Sequence, residues 1–202
     1  MKKYFTIASI LLLAAGCAKT QPVTVINYPP AQNQQATSTP DQNAGWQTYR
    51  SIQYSFEFQY PPDFGFNQAT NTFLPDYLVQ LEPLQNKHPG TNYAGSSFAV
   101  STGFTKTAHE CLASQQDKKP LTESKIINGV TFYRDEFTGA AAGNIYDSTL
   151  YRTWNNTLCL EAALTIHTSN IANFQPGTVT EVDQSKPMAV LLQILDTFKF
   201  TK

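Results

Sequence analysis

Between Val130 and Thr168 the chain alternates apolar and polar residues with a period of two, broken twice by turn-forming residues. The pattern predicts three consecutive antiparallel strands, Val130–Thr138, Ile145–Trp154 and Thr157–His167, with a shorter strand at Ser124–Ile127 before them. Asn128-Gly129 suits a tight hairpin turn because both residues tolerate positive φ. Gly139 to Asn144 reads as an uncharged hairpin loop, and Asn155-Asn156 as a two-residue turn. That last turn would place Trp154 opposite Thr157 and Tyr151 opposite Leu160. One face then carries Leu158, Leu160, Ala162, Leu164 and Ile166 and is the core. The other carries Leu150, Arg152, Trp154, Cys159, Glu161 and Ala163. It is mixed, yet it includes a tryptophan and a cysteine, which usually lie inside. Both faces are therefore expected to be covered.

Upstream, Tyr54–Tyr60 alternates aromatic and polar residues as a half-buried strand does, and Pro61-Pro62 stops it. Asp63–Phe73 reads as irregular, Tyr77–Leu84 and Ser97–Phe104 as strands, and Gln85–Gly95 as the loop between them. Thr107–Gln116 is predicted as a short helix capped by Thr107 and lying over the mixed face. Ser169–Gln184 is a loop. The last helix is expected over Lys186–Thr197, with Ser185 as cap and Pro187 in the first turn. Its apolar stripe of Met188, Leu191, Leu192 and Leu195 should dock on the leucine face. Phe198–Phe200 closes the chain as a short extended segment.

The first residues differ in kind. Lys2 and Lys3 precede an apolar run from Ile7 to Ala15, too short to span a bilayer as a stable helix. The run ends in Leu13-Ala14-Ala15-Gly16-Cys17, which resembles the lipobox of bacterial lipoproteins. The resemblance implies cleavage before Cys17 and lipidation of its thiol, although the leucine stands one position early. It further implies an envelope location, at the outer membrane where there are two membranes, since Ala18 rather than Asp follows the cysteine. Residues 1–16 are thus expected to be a signal peptide and 17–45 a lipidated cysteine and flexible linker. A single globular domain occupies 46–202. The linker is rich in Gln, Asn, Thr, Ala and Pro. Within it Val23–Tyr28 is strand-prone, either as a tether or as an edge-adding segment.

Composition narrows the function. Charged residues make up 14% of the 202-residue chain, below the ~25% usual for globular domains. The 14 basic side chains fall to 12 once Lys2 and Lys3 are removed, against 15 acidic ones, a net charge of −3. No basic field is left to hold phosphates, which argues against a nucleic-acid partner. In an exported chain Cys111 and Cys159 are expected to form a disulfide. Two buried thiols or two metal ligands are the alternatives.

Tyr54-Ser-Phe-Glu-Phe-Gln-Tyr60-Pro61 at the start of the domain and Ile194-Leu-Asp-Thr-Phe-Lys-Phe200 at its end resemble the frame of PsbP-like domains of bacterial envelope lipoproteins. The resemblance implies an α+β fold: an antiparallel sheet covered by helices on both faces, an α/β/α sandwich. Both motifs are packing motifs, so no functional residue is carried over with them.

The residues themselves show no catalytic signature. His109-Glu110 starts the zinc-protease pattern H-E-x-x-H, but Ala113 stands where the second histidine belongs. A metal set of His109, Cys111, Cys159 and His167 competes with the disulfide. Asp135 and Glu136 are adjacent on a strand and point to opposite faces. Arg152 is placed to pair with Glu161, and His88, His109 and His167 are scattered. Phe64, Phe66 and Tyr93 fall in predicted loops and form a candidate contact patch. The reading is a lipid-anchored envelope lipoprotein without catalysis, cofactor or metal, bound to the membrane and to an envelope protein partner. A hydrolase and a small-ligand or metal binder are the alternatives.

Overall fold

The computed structural model describes residues 43–67, 77–103 and 107–201. The expected signal peptide, Cys17, the Val23–Tyr28 segment and the linker up to residue 42 lie outside the described residues, as do Phe73 and Phe104.

Ten strands are described: β1 (Gln47–Ser51), β2 (Phe56–Tyr60), β3 (Phe64–Phe66), β4 (Tyr77–Pro83), β5 (Tyr93–Gly103), β6 (Ser124–Ile127), β7 (Val130–Ala141), β8 (Asn144–Asn155), β9 (Leu158–Ser169) and β10 (Lys199–Phe200). They are joined by two helices, α1 (Ala108–Cys111) and α2 (Ser185–Asp196), and a 3₁₀ turn at Ile171–Asn173. β3-β4-β5-β9-β8-β7-β6 form a seven-stranded antiparallel sheet, and β1-β2-β10 a separate three-stranded one.

The meander from β6 to β9 is present, with its first turn as expected, its second tighter and its third displaced by one residue. Asn128 and Gly129 both take positive φ, as the hairpin requires. The expected loop after Gly139 is instead continued pairing up to Ala141 opposite Asn144, closed by Ala142-Gly143, again both at positive φ. The last turn is Asn156-Thr157 and not Asn155-Asn156. Asn156 takes the left-handed conformation at φ 53°, and Asn155 stays paired with Leu158. Trp154 therefore faces Cys159, and Tyr151 faces Ala162. The register differs by two residues, an even number, so every side chain keeps its expected face.

The leucine face holds the main core. Leu160, Leu164 and Ile166 of β9 and Phe98 and Val100 of β5 are fully buried against α2 and the small sheet. From α2, Leu191, Ile194 and Leu195 enter this core, each worth about 1.5–3 kcal/mol of burial. Ile194 takes the place expected for Leu192, which with Met188 is only half-buried. Ser185 is not the cap of this helix: Asp183 Oδ1 accepts from its N–H and, at 2.6 Å, from its hydroxyl. Phe58 meets Phe98 edge-on at 5.0 Å, and Phe198 stacks on Phe56 at 5.3 Å. The two motif segments are neighbours in space, with Phe200 paired to Phe56 and Lys199 to Glu57. β2 is buried on both faces rather than half-buried. Its outward Glu57 accepts from Arg50 Nε at 2.7 Å and pairs with Lys199 at 2.9 Å.

The opposite face departs from the expected sandwich. The helix predicted over Thr107–Gln116 is a single turn, capped as expected by Thr107, whose Oγ1 accepts from the Glu110 N–H. The chain leaves the helix at Leu112, and Ala113 bridges to Pro120, so the segment between them is a folded-back loop. Among the described residues, helical cover by a long helix exists on one face only.

Candidate ligand groove

The strand registers decide which side chains share the second face. They are Gln80 and Glu82 on β4, Gly95, Ser97, Ala99 and Ser101 on β5, and Cys159, Glu161, Ala163, Thr165 and His167 on β9. β8 adds Tyr146, Ser148, Leu150 and Arg152, and β7 adds Asp135, Phe137 and Gly139. On β5 and β9 the middle of this face is made of Gly, Ala, Ser and Thr, and β8 adds Ser148 and the larger Leu150. Tyr77 at the start of β4 and Phe137 on β7 stand at its margins, and Tyr146 on β8 stands beside His167 at one end. The result is a groove of about 1240 Å³, closed at one end by α1 and the loop after it. A second hollow of about 380 Å³ continues it along the sheet towards Tyr93 and His167. Tyr77, Tyr146, Ala163 and Thr165 line both, so the two hollows form one trough. Phe137, Tyr146 and Tyr77 are exposed at 44, 38 and 37%.

The closed end is held by two linked devices. Cys111 of α1 is bonded to Cys159 of β9, with 5.6 Å between the Cα atoms, and Leu112 packs beside the sulfurs. Next to it, Arg152 is buried. Its Nε donates to Glu161 Oε2 at 2.6 Å, and its Nη1 donates to the Ala113 carbonyl at 2.8 Å and to Asp135 Oδ2 at 3.3 Å. Asp135 in turn accepts from the Gln115 N–H at 2.9 Å and the Ser114 hydroxyl at 3.3 Å. One guanidinium and two carboxylates thus tie the loop after α1 to three neighbouring strands. Arg152 Nη2 is buried without a hydrogen-bond partner. The Arg152–Glu161 pair follows from the strand pattern. That pattern also points Asp135 away from Glu136, but its place beside Arg152 depends on the β7–β8 register.

At the other end His167 stacks on Tyr146 with ring centroids 4.4 Å apart, and its Nε2 lies 2.9 Å from Asn144 Oδ1. Burial pushes the His167 pKa below its ordinary value, against the nearby Glu82 carboxylate, which raises it. Burial also raises Tyr77, with the negative field of Glu161 adding to the effect. The Ser148 and Thr165 hydroxyls bond each other at 2.8 Å.

The candidate residues from the sequence fare unequally. Cys111 and Cys159 are bonded to each other, so the alternative metal set loses its thiolates. Among the described residues no three or more His, Cys, Asp or Glu side chains are placed to hold a metal ion. The contact patch does not form. Phe64 and Tyr93 are both 7% exposed and join the main core, because β3 and the extended β5 turn predicted loops into strands. Only Phe66 is exposed, at 47%. Cys17 lies outside the described residues. The groove itself is not among the sequence expectations. Its signal is the run of small residues at alternate positions of β5, Ser97, Ala99 and Ser101, where a solvated sheet face usually carries long polar side chains.

No family model and no curated protein matches the chain. Two solved structures are similar in outline. A crystal structure from Bacteroides thetaiotaomicron VPI-5482 matches at a TM-score of 0.47 and 13% identity, over 77% of this chain and 48% of that one. This chain therefore spans about half of that protein's length. The solution structure of cyanobacterial PsbP (CyanoP) from Synechocystis sp. PCC 6803 matches at a TM-score of 0.49 and 15% identity, over 81% of this chain and 97% of that one. At these scores neither similarity adds to the architecture described above.

Proposed function

We propose that this chain is a lipid-anchored, non-catalytic module of the bacterial cell envelope that works by holding a segment of a protein partner in the groove. The lipobox-like end at Cys17 and the low-charge linker support export and anchoring. The two aromatic motifs, which meet as β2 and β10, support a PsbP-like frame for the domain. The observation that carries the functional reading is the second face of the large sheet, a small-residue floor between exposed aromatic rims. Its volume of about 1240 Å³ exceeds the ~300–1,000 Å³ usual for small-molecule pockets, which favours a macromolecular segment. A second surface is the alternative docking point: Phe66 and Leu84, exposed at 47 and 66%, near the β3 edge of the sheet.

The test is in-cell photo-crosslinking of the full-length protein with benzoylphenylalanine in place of Phe137 in the groove, and in place of Ile52, which is 87% exposed on the small-sheet hairpin. A discrete protein adduct from Phe137, absent from Ile52 and lost in Ala163→Trp, supports the reading. Adducts from Ile52 alone, or from a probe at Phe66 alone, refute the groove as the docking surface. Cell fractionation of Cys17→Ser checks the anchor, since the variant should leave the membrane fraction.

A further inference from the structure

We infer that the partner segment is an amphipathic α-helix with an apolar stripe and a basic residue beyond one end of it, and this rests on the groove reading above. Three observations point to it. The first is the width of the trough. Its aromatic rims stand on β4 and β7, which are separated by β5, β9 and β8. Four strand spacings of about 4.8 Å give about 19 Å across the sheet from β4 to β7, with Tyr77 and Phe137 at opposite margins and offset along the strands, and that width suits one helix of roughly 10–12 Å diameter. An extended strand would leave much of that width unfilled.

The second observation is the floor. Gly95, Ser97, Ala99 and Ser101 of β5 and Ala163 and Thr165 of β9 have short side chains, so a helix can sit close to the sheet. Several of the polar groups near it are already engaged: Ser148 with Thr165, His167 with Asn144, and Arg152 with Glu161, Asp135 and Ala113. An extended peptide laid there would bring unpaired backbone amides to a surface with few free partners, whereas a helix satisfies its own. From Glu161 to His167 the floor runs about 20 Å along β9, the length of roughly fourteen helical residues.

The third observation is charge. Glu82 stands near His167 at one end, whereas at the α1 end Glu161 and Glu110 are balanced by Arg152 and Lys118, and Arg152 is already paired with Glu161. An apolar helix with Lys or Arg beyond its stripe at the Glu82 end complements that distribution.

The experiment extends the Phe137 crosslink in the intact lipoprotein to the captured residues, read by mass spectrometry of the adduct. The expected segment shows apolar residues at i, i+3, i+4 and i+7 and a basic residue at one end. Proline introduced mid-segment in the partner should cut the adduct at least roughly tenfold, because it breaks the helix. Alanine on the segment's polar side should not. A captured segment without that periodicity, or one indifferent to proline, overturns the helix and leaves the groove as a protein-docking surface. Capture of this chain's own residues overturns it too. Failure to obtain any Phe137-dependent adduct overturns both the helix and the reading it rests on. Ala163→Trp is checked for unchanged thermal unfolding, and Tyr77→Ser at the exposed rim serves as a second variant should the floor substitution unfold the domain.

Discussion

Replacing Arg152 by Met tests the closed end of the groove most directly. The side chains of Arg152, Asp135 and Glu161 are 5, 8 and 18% exposed, so the guanidinium neutralises two carboxylates that are largely out of water. Methionine keeps most of the volume and removes the charge. It leaves both acids and the Ala113 carbonyl without their shared donor. Breaking a buried pair in this way costs about 3–5 kcal/mol, and the partial exposure of Glu161 argues for the lower end. At about 2–4 °C per kcal/mol for a domain of this size, the melting temperature should fall by roughly 6–12 °C at pH 7. The loss is read from circular dichroism melts of both proteins at pH 7. Adding Asp135→Asn and Glu161→Gln should recover much of the loss at pH 7. A fall of less than about 2 °C would show that the acids are solvated and the linkage of loop to sheet is incidental.

Three further outcomes are expected from separate parts of the fold. Cys111→Ala with Cys159→Ala removes a cross-link between residues 48 apart, which on the chain-entropy model is worth about 4 kcal/mol, read as a lower urea midpoint than the oxidised protein. Ala142 sits at φ 49° in the first position of a two-residue hairpin turn, so Ala142→Asn should raise stability by about 0.5–1 kcal/mol in the same assay. His167, held below its ordinary 6.5 by burial, binds protons less readily folded than unfolded, so its contribution is lost as pH falls from 6.5 through the lowered value. The melting temperature should decline over that window, and His167→Gln should flatten the decline. Glu57 is also held down, by Lys199 and Arg50, but its loss begins only near the ordinary carboxylate value of 4.5 and stays outside the window.

The periodic parts of this fold are legible because a period of two survives errors in turn placement. Moving the last hairpin turn by one position shifts the pairing by two residues, and Leu160 still faces the core while Arg152 and Glu161 still face away. The helix α2 is legible from its leucine spacing even though Ile194, and not Leu192, completes the buried set. Segments without a period mislead. Phe64 and Tyr93 stand next to Pro, Gly and Asn, whose turn chemistry masks the short strand β3 and the start of β5, so two core aromatics look like surface ones.

The groove is harder to see because it is defined by the space that small residues leave open. A sheet face meant for water carries long polar side chains at alternate positions, and one meant for a covalent helical layer carries large apolar ones. Ser97, Ala99, Ser101, Ala163 and Thr165 are neither, and each alone reads as an ordinary strand residue. Only the pairing of β5 with β9 brings them into one patch, and only the pairing of β7 with β8 sets Phe137 and Tyr146 beside it. The same pairings put Asp135 within reach of Arg152. The site therefore arises at the level of register, between residues far apart in sequence, while the core arises at the level of local alternation. A partner that reads this surface must do so by shape and rim contacts rather than by any single reactive side chain, and for that reason the floor variant Ala163→Trp should abolish docking while leaving α2 and its core undisturbed.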